Sequence, residues 1–263
     1  MITSNSNSKV KQIIQWRDKA KDRRKAGIFL IEGFRMFEEA PEERIQQIYV
    51  SEDAFERIRK RPDAQRKLET VGYETVAGEV FARMSDTQTP QGILCVVKCP
   101  QYSLEQFLQA ENPLIMVLED LQDPGNLGTL IRAGEAAGIT GVIMSVGTVD
   151  IFNPKTIRST MGSIFRVPFF YAESLPDIVG ILRRNGIQTY AADLKGETYY
   201  DRFSFREPTA FLIGNEGKGL TKETAAQAGQ FLKIPMEGKV ESLNAAIAAS
   251  LLMYEAHRQR FSQ

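Results

Sequence analysis

From Pro113 onward the chain repeats one unit, an apolar run followed by a turn and then a stretch at helical spacing. LIMVLED precedes NLGTLIRAGEAAG, GVIMSVG precedes PKTIRSTMG, VPFFYA precedes LPDIVGILRRNG, TAFLIGNEG precedes TKETAAQAG, and FLKIPM leads to SLNAAIAASLLMYEAHRQ, with QTYAADL as a further strand. Several of these strands are apolar throughout rather than at every second position. A strand reads that way when helices cover both faces of a parallel sheet, so the pattern predicts an α/β fold with a mostly parallel sheet. Ligands of such sheets sit beyond the carboxyl ends of the strands, which directs attention to the loops after LED, AAD, LIG and IPM.

The chain has 263 residues, enough for two domains. Up to residue 98 it alternates strand-like runs (IFLIEG, IQQIYVSED, YETVAG, GILCVVK) with helical ones, including a charged amphipathic helix over 16–25. The expected division is a small α/β domain at 1–98, a linker with a short helix at 99–112, between Pro100 and Pro113, and a larger domain at 113–263. The Ser/Asn-rich first eight residues are expected to be disordered.

With 43% apolar and 25% charged residues, disorder and low-complexity architectures are excluded. No window approaches the roughly 18 uncharged apolar residues of a membrane span, and the start lacks the apolar core of a signal peptide, so a cytoplasmic location is expected. Cys95 and Cys99 have no matching Cys or His cluster, which supports neither a disulfide framework nor a metal site. Basic and acidic residues balance at 33 each, so overall charge gives no argument for nucleic acid. The first 25 residues are an exception, with Lys9, Lys11, Arg17, Lys19, Lys21, Arg23, Arg24 and Lys25 against Asp18 and Asp22. Such a segment is either a solvated helix face or a track for a phosphate backbone.

Three segments put Gly and polar side chains at strand ends, where a core does not call for them. In LEDLQDPGNLGTLIRAGEAAG, Asn126 is placed to cap a helix beginning near Leu127, and Arg132 lies within that helix. FLIGNEGKGL sets three glycines around Glu216 without the spacing of a P-loop or a dinucleotide fingerprint. In IPMEGKVESLNAAIAASLLMYE, Ser242 reads as the N-cap of an Ala-rich helix, which leaves Asn244 unexplained.

Taken in this order, DPGNLGTLIRAGEAAG, LIGNEGKGL and IPMEGKVESLNAAIAASLLMYE resemble the three motifs of the SpoU (TrmH-like) branch of the SPOUT RNA methyltransferases. NPKTIRSTMGSIFRVP is similar to the family's segment between the first two. RDKAKDRRKAGIFLIEG and TQTPQGILCVV resemble the small L30e-like substrate-binding domain that precedes the catalytic domain in many members. The resemblance implies a SPOUT α/β-knot domain, whose C-terminal trefoil knot is an exception to the rule against threaded chains, behind an L30e-like domain. It further implies a homodimer that uses S-adenosylmethionine, without a metal, to methylate a ribose 2′-hydroxyl in RNA. By matching positions, Ile213, Gly214, Ile234, Met236, Ser242, Leu243 and Asn244 line the cofactor pocket, and Asn126, Arg132, Glu216, Ser242 and Asn244 form the catalytic surface. RNA contacts are expected from Arg17, Lys19, Arg23, Arg24 and Lys25 and, in the catalytic domain, Lys155 and Arg158.

Methyl transfer from a sulfonium is an in-line displacement, so holding the hydroxyl oxygen about 3 to 3.5 Å from the methyl carbon supplies much of the rate. A guanidinium gives up its proton reluctantly, which makes electrostatic stabilisation the expected role of Arg132 rather than base catalysis. The single histidine, His257, falls near the end of the last helix, away from these segments. The two-domain form favours 23S rRNA as substrate. Alternatives are a tRNA 2′-O-methyltransferase, a SPOUT enzyme acting on a base nitrogen, and a non-catalytic RNA-binding or ribosome-assembly protein of the same fold.

Overall fold

In this computed structural model, which describes residues 1–194, 196–239 and 242–261, ten strands form two separate sheets. The first sheet holds β1 (Ile28–Glu32), β2 (Ile45–Ser51), β3 (Glu74–Val76) and β4 (Ile93–Lys98) in the order β1-β4-β2-β3, antiparallel except for the β2–β3 pair. Around it run α1 (Ser8–Asp18), α2 (Ala20–Ala26), α3 (Phe34–Glu39), α4 (Phe55–Arg59), α5 (Pro62–Val71) and α6 (Gly78–Met84).

Two expectations fail here for clear reasons. The helix expected over 16–25 is two helices, because Lys19 is extended (φ −121°, ψ 104°) and Arg23 folds back to close the end of α1. Its Nη1 donates to the carbonyls of Trp16 (2.6 Å) and Arg17 (2.9 Å), and the residue is only 4% exposed. The first residues are ordered. Ile2 joins β3 through Ile2 N–H to Thr75 O (2.7 Å) and Ala77 N–H to Ile2 O (2.9 Å), and its side chain enters the core with Val10, Ile13 and Val76.

The second sheet is parallel throughout. It contains β5 (Leu114–Leu118), β6 (Gly141–Ser145), β7 (Phe169–Ala172), β8 (Gln188–Ala192), β9 (Thr209–Ile213) and β10 (Gln230–Leu232) in the order β10-β8-β9-β5-β6-β7. Its helices are α7 (Leu104–Leu108), α8 (Pro124–Ala137), α10 (Leu175–Arg184), α11 (Lys222–Gln227) and α12 (Ala245–Phe261), with α9 (Pro154–Thr160) between β6 and β7. Every residue of β5, β6 and β9 is buried, which is why those strands read as unbroken apolar runs. The buried Ala245, Ala246, Ala249 and Ala256 give α12 a small-residue face, and it packs against α8, where a Cβ at Gly134 would stand 3.4 Å from the Met253 sulfur.

Contacts group Met1–Gln101 with Phe152–Phe165 as one compact unit, and Tyr102–Ile151 with Arg166–Gln263 as the other. Sequence alone assigns 152–165 to the larger domain. In the structure Phe152 stacks on Phe29 of β1 (centroids 4.6 Å apart), and α9 packs on that strand. Most of the stretch read as a linker belongs to the second unit, where Phe107 of α7 is buried in the core beside Ile115, Val117 and Ile143.

Candidate active site

A cleft of ≈ 860 Å³ lies beyond the carboxyl ends of β8, β9 and β10, within the size range of small-molecule sites. Asp193 and Leu194 follow β8, Gly214 to Leu220 follow β9, Ile234 and Met236 follow β10, and Ser242, Leu243, Ala245 and Ala248 come from the approach to α12 and its first turn. Of the expected cofactor residues, Ile213, Gly214, Ile234, Met236, Ser242 and Leu243 line the cleft, and Asn244 stands outside its lining.

The wall after β9 is a tight turn. Asn215 and Gly219 exchange both backbone hydrogen bonds (3.0 and 2.9 Å), and the Asn215 Oδ1 accepts from the N–H groups of Gly217 and Lys218, both at 3.0 Å. This closure brings the backbone of 219–220 onto Gly214, where a Cβ would lie 2.1 Å from the Gly219 carbonyl carbon. Glycine at 214 is therefore a steric requirement.

Side chains then bind this turn to the start of α8. The Glu216 carboxylate accepts from Gln122 N–H (3.0 Å), Asp123 N–H (3.1 Å) and Asn126 Nδ2 (3.1 Å). Partial burial pushes that carboxyl up, but donors from Gln122, its own backbone, Asn126 and Asp123 outweigh it and hold Glu216 below the usual carboxylate range. Asn126 in turn accepts on Oδ1 from Asn244 Nδ2 at 2.8 Å. Asn126, Glu216 and Asn244 thus form one chain of hydrogen bonds across three sequence segments.

Both capping expectations need correction by a few residues. Asp123, not Asn126, caps α8: its Oδ1 accepts from Asn126 N–H at 2.8 Å, with Pro124 at the first helical position. Asn244, not Ser242, caps α12, its Oδ1 accepting from Ala246 N–H (2.9 Å) and Ile247 N–H (3.3 Å). That accounts for the asparagine the sequence left unexplained, and it leaves the exposed Ser242 facing the cleft. Arg132 is exposed on α8 and makes no hydrogen bond or ion pair among the described residues, Glu216 included.

The basic candidates separate. Buried Arg23 is withdrawn from any surface contact. Arg17 donates to the carbonyls of Arg83 (2.7 Å) and Ser85 (2.9 Å) and pairs with Asp18, and Arg158 pairs with Asp86 at 2.5 Å. Lys19, Arg24, Lys25 and Lys155 are exposed, and Lys155 and Arg158 lie on α9, in the first unit rather than the second. His257 stacks on Phe261 (5.4 Å between centroids), far along α12 from its capped start.

Sequence reasoning missed Glu119 and Asp120. Glu119 is 7% exposed, and its carboxylate is wholly engaged by Thr221 and Thr224. Asp120 takes a left-handed backbone (φ 52°), and its carbonyl accepts from the side-chain amides of Asn215 (2.8 Å) and Gln122 (2.9 Å). The signal available was a pair of acids at the end of a strand that is otherwise apolar throughout.

Residues 113–254 match the family model described as the SpoU rRNA Methylase family. The chain belongs to that family. This SpoU protein also matches, at residues 7–95, the model of an MRM3-like substrate binding domain. It is 35% identical to a 23S rRNA (guanosine(2553)-2′-O)-methyltransferase, RlmP, of Bacillus subtilis, over 96% of this chain and 97% of that one. Among solved structures, the SpoU methyltransferase AviRb from Streptomyces viridochromogenes superposes with a TM-score of 0.85 at 29% identity, covering 97% of this chain and 98% of that one. An AdoMet-bound rRNA methyltransferase from Sinorhizobium meliloti superposes with a TM-score of 0.84 at 30% identity, covering 98% and 97%. Among the described residues no helix is long and apolar enough to cross a membrane, and no group of three His, Cys, Asp or Glu is placed to hold a metal ion.

Proposed function

We propose that this SpoU protein transfers a methyl group from S-adenosylmethionine to a ribose 2′-hydroxyl of 23S rRNA, in the cytoplasm. The observation that carries the reading is that the Glu216–Asn126–Asn244 hydrogen bonds tie the start of α8 to the two distant segments, 213–221 and 242–245, that line the cleft. The cleft suits the cofactor: Ile213, Leu232, Ile234, Met236 and Leu243 offer an apolar lining, and the Gly214 backbone leaves no side chain between ligand and wall. When bound, S-adenosylmethionine supplies the electrophilic methyl group.

The chain's residues supply position and charge. Arg132, exposed and unpaired among the described residues, binds the target phosphate or the developing alkoxide. Ser242 donates to or accepts from the 2′-hydroxyl at the cleft mouth, and Asn126, Glu216 and Asn244 hold the loops that place both groups. Lys19, Arg24, Lys25 and Lys155 contact RNA phosphates. The full-length match to a 23S rRNA enzyme, with its N-terminal part included, supports ribosomal RNA over tRNA.

The same reading includes the family's trefoil knot and a homodimer. Support for the dimer comes from Ile247, Leu251 and Tyr254, which are 51%, 39% and 47% exposed along one face of α12.

Labelled methyl transfer to unmodified rRNA and tRNA tests the function. The expected product is an alkali-resistant linkage in rRNA, lost in Arg132→Ala while cofactor affinity holds. Normal turnover in that variant removes Arg132 from the reaction, and label on a base nitrogen overturns the ribose assignment.

A further inference from the structure

Glu119 makes hydrogen bonds that neither the motifs nor the proposed chemistry explains. It follows β5 at the centre of the sheet, and its backbone N–H donates to Ile213 O at 2.9 Å, extending the β5–β9 pairing. Its buried carboxylate reaches the other end of the same wall. There Oε2 accepts from Thr221 N–H (2.7 Å), while Oε1 accepts from the hydroxyls of Thr221 (2.8 Å) and Thr224. One residue therefore fastens both ends of the segment 214–220 that walls the cleft.

The choice of a carboxylate has a physical reason. Three donors converge on it, and only an ionised acid accepts from all of them without presenting a donor of its own. Thr221 is meanwhile the N-cap of α11, its Oγ1 accepting from Thr224 N–H at 3.2 Å, and of the two acceptors within reach of its one proton the Glu119 carboxylate (2.8 Å) is nearer than the Thr224 hydroxyl (3.1 Å). Drift of the carboxylate frees Thr221 and Thr224 and with them the far end of the wall.

We propose that Glu119 is a positioning residue that latches the 214–220 wall in the conformation that binds S-adenosylmethionine. The latch rests on the functional reading above, and it acts on cofactor affinity rather than on the chemical step. Glu119→Gln keeps the shape but turns an amide N–H₂ toward one of the three donors. It is expected to raise the dissociation constant for S-adenosylmethionine by about 10- to 150-fold, the usual scale of losing a hydrogen bond to a charged group. Turnover at saturating cofactor stays near wild type. Amide hydrogen exchange at Asn215, Gly219 and Thr221 speeds up in the free protein. Thr221→Ser, which keeps the hydroxyl, binds as wild type, and Thr221→Val repeats the Glu119→Gln loss. The double variant loses less than the sum of the two single ones, because both remove the Thr221 hydroxyl–Glu119 contact.

Calorimetric titration with S-adenosylmethionine and hydrogen exchange on the full chain decide the matter. If Glu119→Gln is folded and shows wild-type affinity and exchange, or only a lower melting temperature, the latch is overturned and the functional reading stands. If Glu119→Gln fails to fold, Thr221→Val with Thr224→Val carries the same test with Glu119 in place. If the wild-type protein itself does not bind S-adenosylmethionine, the functional reading falls and the latch falls with it.

Discussion

Replacing Gly214 by Ala puts a methyl group where the chain has no room. The new Cβ would stand 2.1 Å from Gly219 C, 2.2 Å from Leu220 N and 2.4 Å from Gly219 O, all backbone atoms that no rotamer change can move. Ordinary contact begins at 3.4 Å, so the 219–220 segment must withdraw by about 1.3 Å. That strains both hydrogen bonds between Asn215 and Gly219. Overpacking of this kind costs about 1 to 3 kcal/mol and each of the two strained bonds about 0.5 to 1.5, for a total of roughly 2 to 6 kcal/mol. In a domain of this size, at about 2 to 4 °C per kcal/mol, the melting temperature then falls by roughly 4 to 24 °C. S-adenosylmethionine binding falls in parallel, since the displaced segment is the cleft wall. The other glycines of the turn serve as internal controls. Gly217→Ala meets only the Asn215 Oδ1 at 3.7 Å and is expected to be neutral. Gly219→Ala enters open space but at φ +70°, a left-handed backbone that costs a non-glycine residue roughly 1 kcal/mol. Thermal unfolding of the three variants, with cofactor titration, should rank 214 far above 219 and 219 above 217. A Gly214→Ala protein that melts and binds as wild type, or an equal loss in Gly217→Ala, would refute the steric argument.

Three further outcomes follow from contacts described above. Because Glu216 has a lowered pKa in the folded protein, its stabilisation is complete above the ordinary carboxyl range near ~4.3 and is lost as pH falls through the lowered value. The melting-temperature gap between wild type and Glu216→Gln should be full at pH 7 and shrink in acid, and a gap that widens there contradicts the bonding. Arg260 donates to four carbonyls, those of Phe205 (2.7 Å), Asn112 (2.9 Å), Pro113 (3.3 Å) and Glu207 (2.7 Å), so Arg260→Ala should cost about 2 to 4 kcal/mol in denaturant unfolding, with Lys restoring only part. Ile247→Glu with Tyr254→Glu should convert a dimer to a monomer by sedimentation at micromolar concentration, and a wild-type monomer there removes the α12 interface.

What the sequence made legible depends on how each feature is encoded. Strands β5, β6 and β9 are covered on both faces, so each position carries the same apolar signal and the parallel sheet can be read directly. Caps were legible as a residue type but not as a position: DPGN and SLN each contain two candidates, and only the helix register shows that Asp123 and Asn244 take the role. Buried charge was not legible. Arg23 sits in a stretch that reads as a solvated basic face, yet it closes the end of α1, and Lys67 likewise donates to the carbonyls of Phe37, Glu38 and Ala40 while burial lowers its pKa. Nothing local distinguishes such a residue from a surface neighbour, because its partners come from a different stretch of backbone. Glu119 was hidden for the same reason, its donors lying about a hundred positions away.

The hydrogen bond between Asn126 and Asn244 spans 118 positions and joins the first turns of α8 and α12. A chain emerging from the ribosome therefore lays down β5, β6, β8 and β9 before it can close the site, because one wall comes from Ser242, Leu243, Ala245 and Ala248, which follow every strand of the sheet. Cofactor capture waits for α12 and its approach. A ligand that recognises only the finished architecture draws the folding equilibrium toward completion, and chains cut short before α12 get no such help. Premature termination thus silences the protein twice, by removing a wall of the cleft and by withholding the ligand that would have stabilised the remainder.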